Sequence, residues 1–92
     1  MTSVEPIREF IFTDHALSEM ARRQIPQKDV KAVLAKPEQV EMVREGRAVY
    51  QSRLEMGRPP KTYLLRVFVD IDIELPYVVT VYRTSKIEKY WR

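Results

Sequence analysis

The feature that most constrains this chain is a change of hydrophobic period at Pro37. Before it, apolar residues recur at helical spacing; after it, they alternate as they do along a strand. Ala16, Leu17, Met20, Ala21 and Gln24 share one face of a helix predicted over Asp14 to Gln24. His15, Ser18, Glu19 and Arg22 share the other face. Thr13 is placed to cap this helix, and Asp14 in the first turn suits the positive end of the helix dipole. Ile25-Pro26 ends it, because the residue before a proline is pushed out of the α region, while proline itself suits a helix start. A second helix follows over residues 27 to 35, with Val30, Val33 and Leu34 on one face and Gln27, Lys28 and Lys31 on another. Both helices are too short to persist alone, so the pair must pack on something else.

The remainder of the chain supplies that partner. Strands are predicted over Gln39 to Arg44, Arg47 to Glu55, Tyr63 to Asp70 and Tyr77 to Arg83. Glu45-Gly46 is a hairpin turn signal, Met56 to Lys61 a loop, and Ile71 to Pro76 a turn. Residues 10 to 12, Phe-Ile-Phe, form either a short strand or an apolar lead-in to the first helix. Helices first and strands after predict an α+β fold, two N-terminal helices packed on a roughly four-stranded antiparallel sheet. Tyr50, Leu54, Leu65, Val67 and Val69 belong to the helix side of that sheet. Gln51, Arg53, Leu64, Arg66 and Phe68 belong to the opposite side, which is therefore not fully apolar.

Composition narrows the classes of function. A length of 92 residues fits a single domain, with a core over about residues 10 to 91. There is no cysteine, so neither disulfides nor thiolate metal sites contribute, and a reducing, cytoplasmic setting is expected. One histidine makes a structural zinc site an unsuitable reading, and neither a metal nor a cofactor is expected. The longest uncharged apolar stretch, Leu75 to Tyr82, is far short of the roughly 20 residues that span a bilayer. Met1 to Glu9 contains no apolar signal core, so no export signal is expected. The formal charge is +3 and the isoelectric point about 9.3, which is compatible with an anionic partner and equally ordinary for a soluble protein.

Two constellations bear chemistry. His15 is the only imidazole, a candidate general acid or base near neutral pH. Arg22 lies two turns on along the same face, about 10 Å along the axis, with Glu19 between them. That face reads either as an anion site or as a solvated ion-pair ladder. The second constellation is Arg53 and Arg66 on strands with Tyr82, Arg83, Lys86 and Lys89 towards the C-terminus. Guanidinium forks match phosphate oxygens, and Tyr50, Tyr63, Tyr82, Tyr90 and Trp91 offer faces on which unpaired bases stack. The competing reading makes the aromatics core and the arginines solvated. Gly46 and Gly57 are the only glycines, so there is no glycine-rich phosphate loop, and Asp70 and Asp72 read as turn residues.

Laid out in order, several stretches resemble the bacterial family called domain of unknown function 4258. They are Phe12 through Leu17 with Met20 and Arg23, Ile25 with Asp29-Val30 and Val33-Leu34, then Gly46-Arg47 and Tyr50. Leu65-Arg66-Val67 and Val79 through Tyr82, followed by Thr84-Ser85-Lys86, complete the set. The family in turn resembles the RelE/ParE-like toxins of the barnase/EndoU/colicin/RelE fold group, some of which are metal-independent ribonucleases. The resemblance implies a toxin-like endoribonuclease of a toxin–antitoxin system, in which a ribose 2′-hydroxyl attacks the adjacent phosphate. By matching position His15, Arg23, Arg66, Tyr82 and Lys86 become candidate catalytic residues. Arg22, Arg53, Arg83, Lys89 and Tyr90 are candidate RNA- or phosphate-binding residues. The implied partners are RNA or the ribosome, an antitoxin protein, and a second copy of the chain. The alternative is a non-catalytic RNA-binding or protein-interaction module on the same fold. Two positions depart from the family pattern: Glu19 stands where relatives carry arginine, and Gln24 where they carry glycine.

Overall fold

A computed structural model describes residues 6–92. The reading of Met1 to Glu9 falls largely on Met1 to Glu5, outside the described residues. The elements in chain order are β1 (Ile11–Phe12), α1 (Asp14–Arg23), α2 (Gln27–Ala35), β2 (Gln39–Arg44), β3 (Arg47–Met56), β4 (Lys61–Asp70), β5 (Tyr77–Thr84) and α3 (Ile87–Tyr90). The fold is α+β. The sheet has five strands rather than four, in the order β1-β5-β4-β3-β2. It is mixed rather than antiparallel, because β1 pairs with β5 in parallel while the other neighbours are antiparallel. The extra strand is only two residues long, and it exists because the backbone around it meets β5. Ile11 N–H donates to the Pro76 carbonyl at 2.9 Å and Thr13 N–H to the Val78 carbonyl at 3.0 Å.

Thr13 does two jobs at this junction. Its Oγ1 accepts from the Ala16 N–H at 3.1 Å, capping α1, and its hydroxyl donates to the Val78 carbonyl at 3.0 Å. The cap therefore also docks the helix on β5, and α1 then runs beside that strand. At the far end of α1, Arg23 Nη1 donates to the Val81 carbonyl at 3.1 Å. A backbone acceptor on the outer edge of β5 is thus satisfied by the helix rather than by a strand. Gln24 closes α1 in the left-handed conformation at φ 56°. That conformation is the one glycine adopts most readily.

Ala16, Met20 and Ile25 from the first helix and its cap, with Val30, Val33 and Leu34 from α2, pack on Ala48, Tyr50, Leu65, Val67, Val69, Val78 and Val81 of the sheet. The expected inner face of α1 is narrower than its helical wheel: Leu17, Ala21 and Gln24 are exposed. A helix lying along a strand edge presents a stripe, not half its circumference, to the core. The predicted Met56 to Lys61 loop contracts to residues 57–60, because β3 and β4 pair out to Met56 and Lys61. At the Glu45-Gly46 turn, Gly46 adopts φ +83° and a Cβ there would lie 2.5 Å from Asp72 Oδ2. Ile71 N–H donates to the Gly46 carbonyl at 2.9 Å, so the β2–β3 turn and the residues after β4 are locked together.

Candidate nucleic-acid interface

Strand register sets up the site. Gln39, Gln51, Arg66 and Tyr82 are successive partners across β2, β3, β4 and β5, so their side chains form one row on the sheet face away from α2. The row is hydrogen-bonded throughout its length. Gln51 Nε2 donates to Gln39 Oε1 at 2.9 Å, Arg66 Nε to Gln51 Oε1 at 2.9 Å, and Arg66 Nη1 to the Tyr82 hydroxyl at 2.7 Å. Gln51 and Arg66 are buried, and a buried guanidinium is tolerated because these acceptors and the surrounding rings replace water. Phe68 stacks on Tyr82 with centroids 6.0 Å apart.

The C-terminal segment covers this row, so the second sheet face is not open. Gln51 Nε2 donates to the Tyr90 carbonyl at 3.2 Å and Gln39 Nε2 to the Arg92 carbonyl at 2.8 Å. Arg92 in turn reaches Glu41 at 3.0 Å. With its backbone held this way, Tyr90 lies over the Arg66 guanidinium at 4.2 Å, and Trp91 lies over Arg53 at the same distance. Arg53 also pairs with Glu38 at 3.1 Å, and that guanidinium holds the Glu38 carboxyl below its ordinary value.

Five of the ten candidate residues meet in one cluster. Arg23, arriving from the end of α1, stands 6.0 Å from the Tyr82 ring. The Tyr82 and Tyr90 rings meet edge to face at 6.4 Å, and Lys89 lies 5.5 Å from the Tyr90 ring. Arg66 is beneath, 5.7 Å from Tyr82. The result is a pair of phenols with a cation at each end and a buried guanidinium as foundation. The Tyr90 phenol is held below its ordinary value, chiefly by hydrogen bonding with Tyr82 and less by the Lys89 and Arg66 charges, while desolvation opposes them.

The other five candidates stand apart from it. His15 is exposed near the start of α1, about 12 Å from Arg23 along the helix axis. Arg22 is turned outward and paired with Glu19. The same Glu19 carboxylate reaches Arg23 at 3.1 Å, so it neutralises charge beside the cluster rather than beside His15. Arg83 points to the helix side of the sheet and lies over Tyr63 at 5.3 Å. Lys86 is exposed at the start of α3. Arg53 belongs to the Trp91 pairing, on the same face but on β3.

Gln39 and Gln51 are missing from the sequence-based set, although both organise the site. The signal for Gln51 is its alternation with Tyr50, which places it on the Arg53 side; nothing local marks Gln39. Among the described residues, no group of three or more His, Cys, Asp or Glu side chains stands close enough to hold a metal ion. No helix among them is long and apolar enough to cross a membrane.

No curated protein and no solved structure matches this chain. The model of one family does match, over residues 12–83, and its description is a domain of unknown function, DUF4258. The match takes in Arg23, Arg66 and Tyr82 and stops short of the segment that carries Lys89 and Tyr90. It spans well over half of the sequence, and the chain therefore belongs to the DUF4258 family.

Proposed function

We propose that this protein binds RNA at the Arg23–Tyr82–Tyr90–Lys89 cluster, holding phosphate with the two outer cations and stacking an unpaired base on the phenols. The supporting observation is the line of rings between Arg23 and Lys89, with Arg66 buried beneath Tyr90 at 4.2 Å. Cations alternating with aromatic faces suit a flexible single strand, whose charges and bases alternate in the same way. Arg66 acts as a positioning residue in this reading, because its guanidinium is already committed to Gln51, Tyr82 and Tyr90. Titrating a fluorescein-labelled single-stranded RNA by anisotropy tests it. Binding weakened by Lys89→Ala and by Tyr90→Ala supports the site; unchanged affinity in both removes it.

A second reading is a toxin-like, metal-independent endoribonuclease of the RelE/ParE type, with an antitoxin as its natural partner. One observation favours it: the Tyr90 phenol stands between two cations, with Arg66 4.2 Å and Lys89 5.5 Å from its ring. In this reading Tyr90 is the base, acting from its deprotonated form on the proton of a ribose 2′-hydroxyl as that oxygen attacks the adjacent phosphorus. Arg23 and Lys89 stabilise the added negative charge on the phosphoryl oxygens, and the leaving 5′-oxygen takes the proton of the Tyr82 hydroxyl. In this reading His15 is too far from the cluster to be the base. Incubation with total RNA and ribosomes in a chelator is the test. Cleavage lost in Tyr90→Phe and retained in His15→Ala supports it, whereas intact RNA with the wild type reduces the activity to binding alone.

A further inference from the structure

Seven large hydrophobic side chains are exposed among the described residues, and four of them, Ile11, Ile73, Leu75 and Tyr77, line a single concavity of about 680 Å³. It lies where β1, the 71–76 turn and the start of β5 meet. Ile11 and Tyr77 are direct partners in the parallel pair, so both project from the same sheet face. Contiguous exposed apolar surface with a polar rim is the mark of an interaction site rather than of a solvated surface. The rest of the lining is Glu9 and Glu74. Both charges are negative on a chain whose formal charge is +3, so this groove repels the RNA that the Tyr82–Tyr90 cluster attracts.

The groove also adjoins a strand edge. β1 is terminal in the sheet, and its hydrogen bonds to β5 come from Ile11 and Thr13. Strand alternation turns the backbone of Phe12 to the outer side. The opposite sheet edge is interrupted by an irregularity between Met42 and Arg44 and carries Glu41 and Arg44, devices that discourage strand addition. β1 has neither a bulge nor a charge.

We propose that the Ile11–Ile73–Leu75–Tyr77 groove is a docking surface for an extended segment of another protein, apolar at alternate positions and carrying lysine or arginine between them. The apolar side chains fill the groove, the basic ones meet Glu9 and Glu74, and the backbone runs beside β1 as an added strand. The proposal does not rest on RNA binding, since no residue of the groove belongs to the cluster.

The probe is a short synthetic peptide alternating lysine with valine, titrated into the nitrogen-15-labelled full chain, with a peptide alternating glutamate with valine as comparison. Saturable amide shifts centred on Ile11, Phe12 and residues 73–77 are expected for the lysine peptide, and none for the glutamate peptide. Glu9→Lys combined with Glu74→Lys weakens the lysine peptide about tenfold, and Ile73→Asp abolishes its binding. RNA affinity does not fall in either variant, which separates failure here from failure of the RNA reading. Should Ile73→Asp misfold, the Glu9/Glu74 variant, altered only at exposed positions, carries the test. Equal binding of the two peptides, or shifts centred on Tyr82 and Tyr90, overturns the proposal. So does concentration-dependent dimerisation of the wild type that Ile73→Asp removes, because the occupant is then a second copy.

Discussion

Arg66 is the residue on which the candidate site depends, and its role is architectural before it is chemical. Its Nε and Nη1 are committed to Gln51 and Tyr82, and its π-facing side to Tyr90. Removing it in Arg66→Ala leaves Gln51 and Tyr82 without a donor and Tyr90 without its cation. The expected cost is about 2 kcal/mol of stability, measurable by urea denaturation, with RNA affinity falling as a consequence. Glu19 acts in the opposite direction. Its carboxylate is shared by Arg22 and Arg23, so Glu19→Gln releases positive charge beside Tyr82. RNA affinity is expected to rise about threefold, within the range of an exposed ion pair, and an anisotropy titration that shows no gain argues against Arg23 as a phosphate ligand.

Two groups make stability depend on pH, one at each end of the range. Burial pushes the Tyr50 phenol above its ordinary value. The neutral form is the one the folded state prefers, so this contribution is intact below the unfolded-state value of a tyrosine and fades as pH rises through the higher folded-state value. At the acid end, Arg47 holds the Asp70 carboxyl below its ordinary value through bonds of 2.6 and 3.1 Å. That contribution is present above the unfolded-state value of an aspartate and is lost as pH falls through the lower folded-state value. Asp70→Asn should therefore flatten the acid limb of a stability–pH curve without altering the alkaline limb.

At the scale of elements, local chemistry accounts for what is legible in the sequence. The Thr13 cap, the Pro26 and Pro37 breaks and the Glu45-Gly46 turn each act within a few residues, and each element they bound is readable. β1 is ambiguous because two residues carry no period; it is a strand only through Pro76 and Val78, far along the chain. A helical wheel turns Leu17 inward because it cannot know that α1 lies on a strand edge. The covering of the second sheet face is invisible as well, since Gln39 and Gln51 hold the tail by hydrogen bonds that skip most of the sheet. The cations on strands and tail are legible as a set. Which of them converge is not, because convergence of Arg23 with Lys89 needs both the helix on β5 and the tail across the sheet face.

Two backbone positions probe the caps and turns directly. Gln24→Gly relieves a left-handed residue at the α1 cap and should stabilise the protein by about 1 kcal/mol. Gly46→Ala forces a Cβ against Asp72 at a positive φ and should destabilise it by about 2 kcal/mol. Thermal unfolding monitored by circular dichroism reads both, and shifts of the same sign would show that the turn and cap geometry is misassigned.

For the whole molecule, charge distinguishes the two surfaces for which we propose functions. Arg66 and Lys89 bring positive charge to the Tyr82–Tyr90 cluster, while the exposed apolar groove at β1 is lined by carboxylates. In our proposals one of these surfaces takes RNA and the other a basic protein segment. We propose that the first of these binds RNA through phosphate. The most direct measurement is the affinity for a single-stranded RNA as a function of salt, for the wild type and for Arg23→Ala combined with Lys89→Ala. Wild-type binding is expected to weaken steeply with salt, and the variant to bind less tightly. Its log–log slope should be smaller in magnitude by about 0.7 for each phosphate that is no longer neutralised. Identical affinity and identical slope in the two proteins would contradict it.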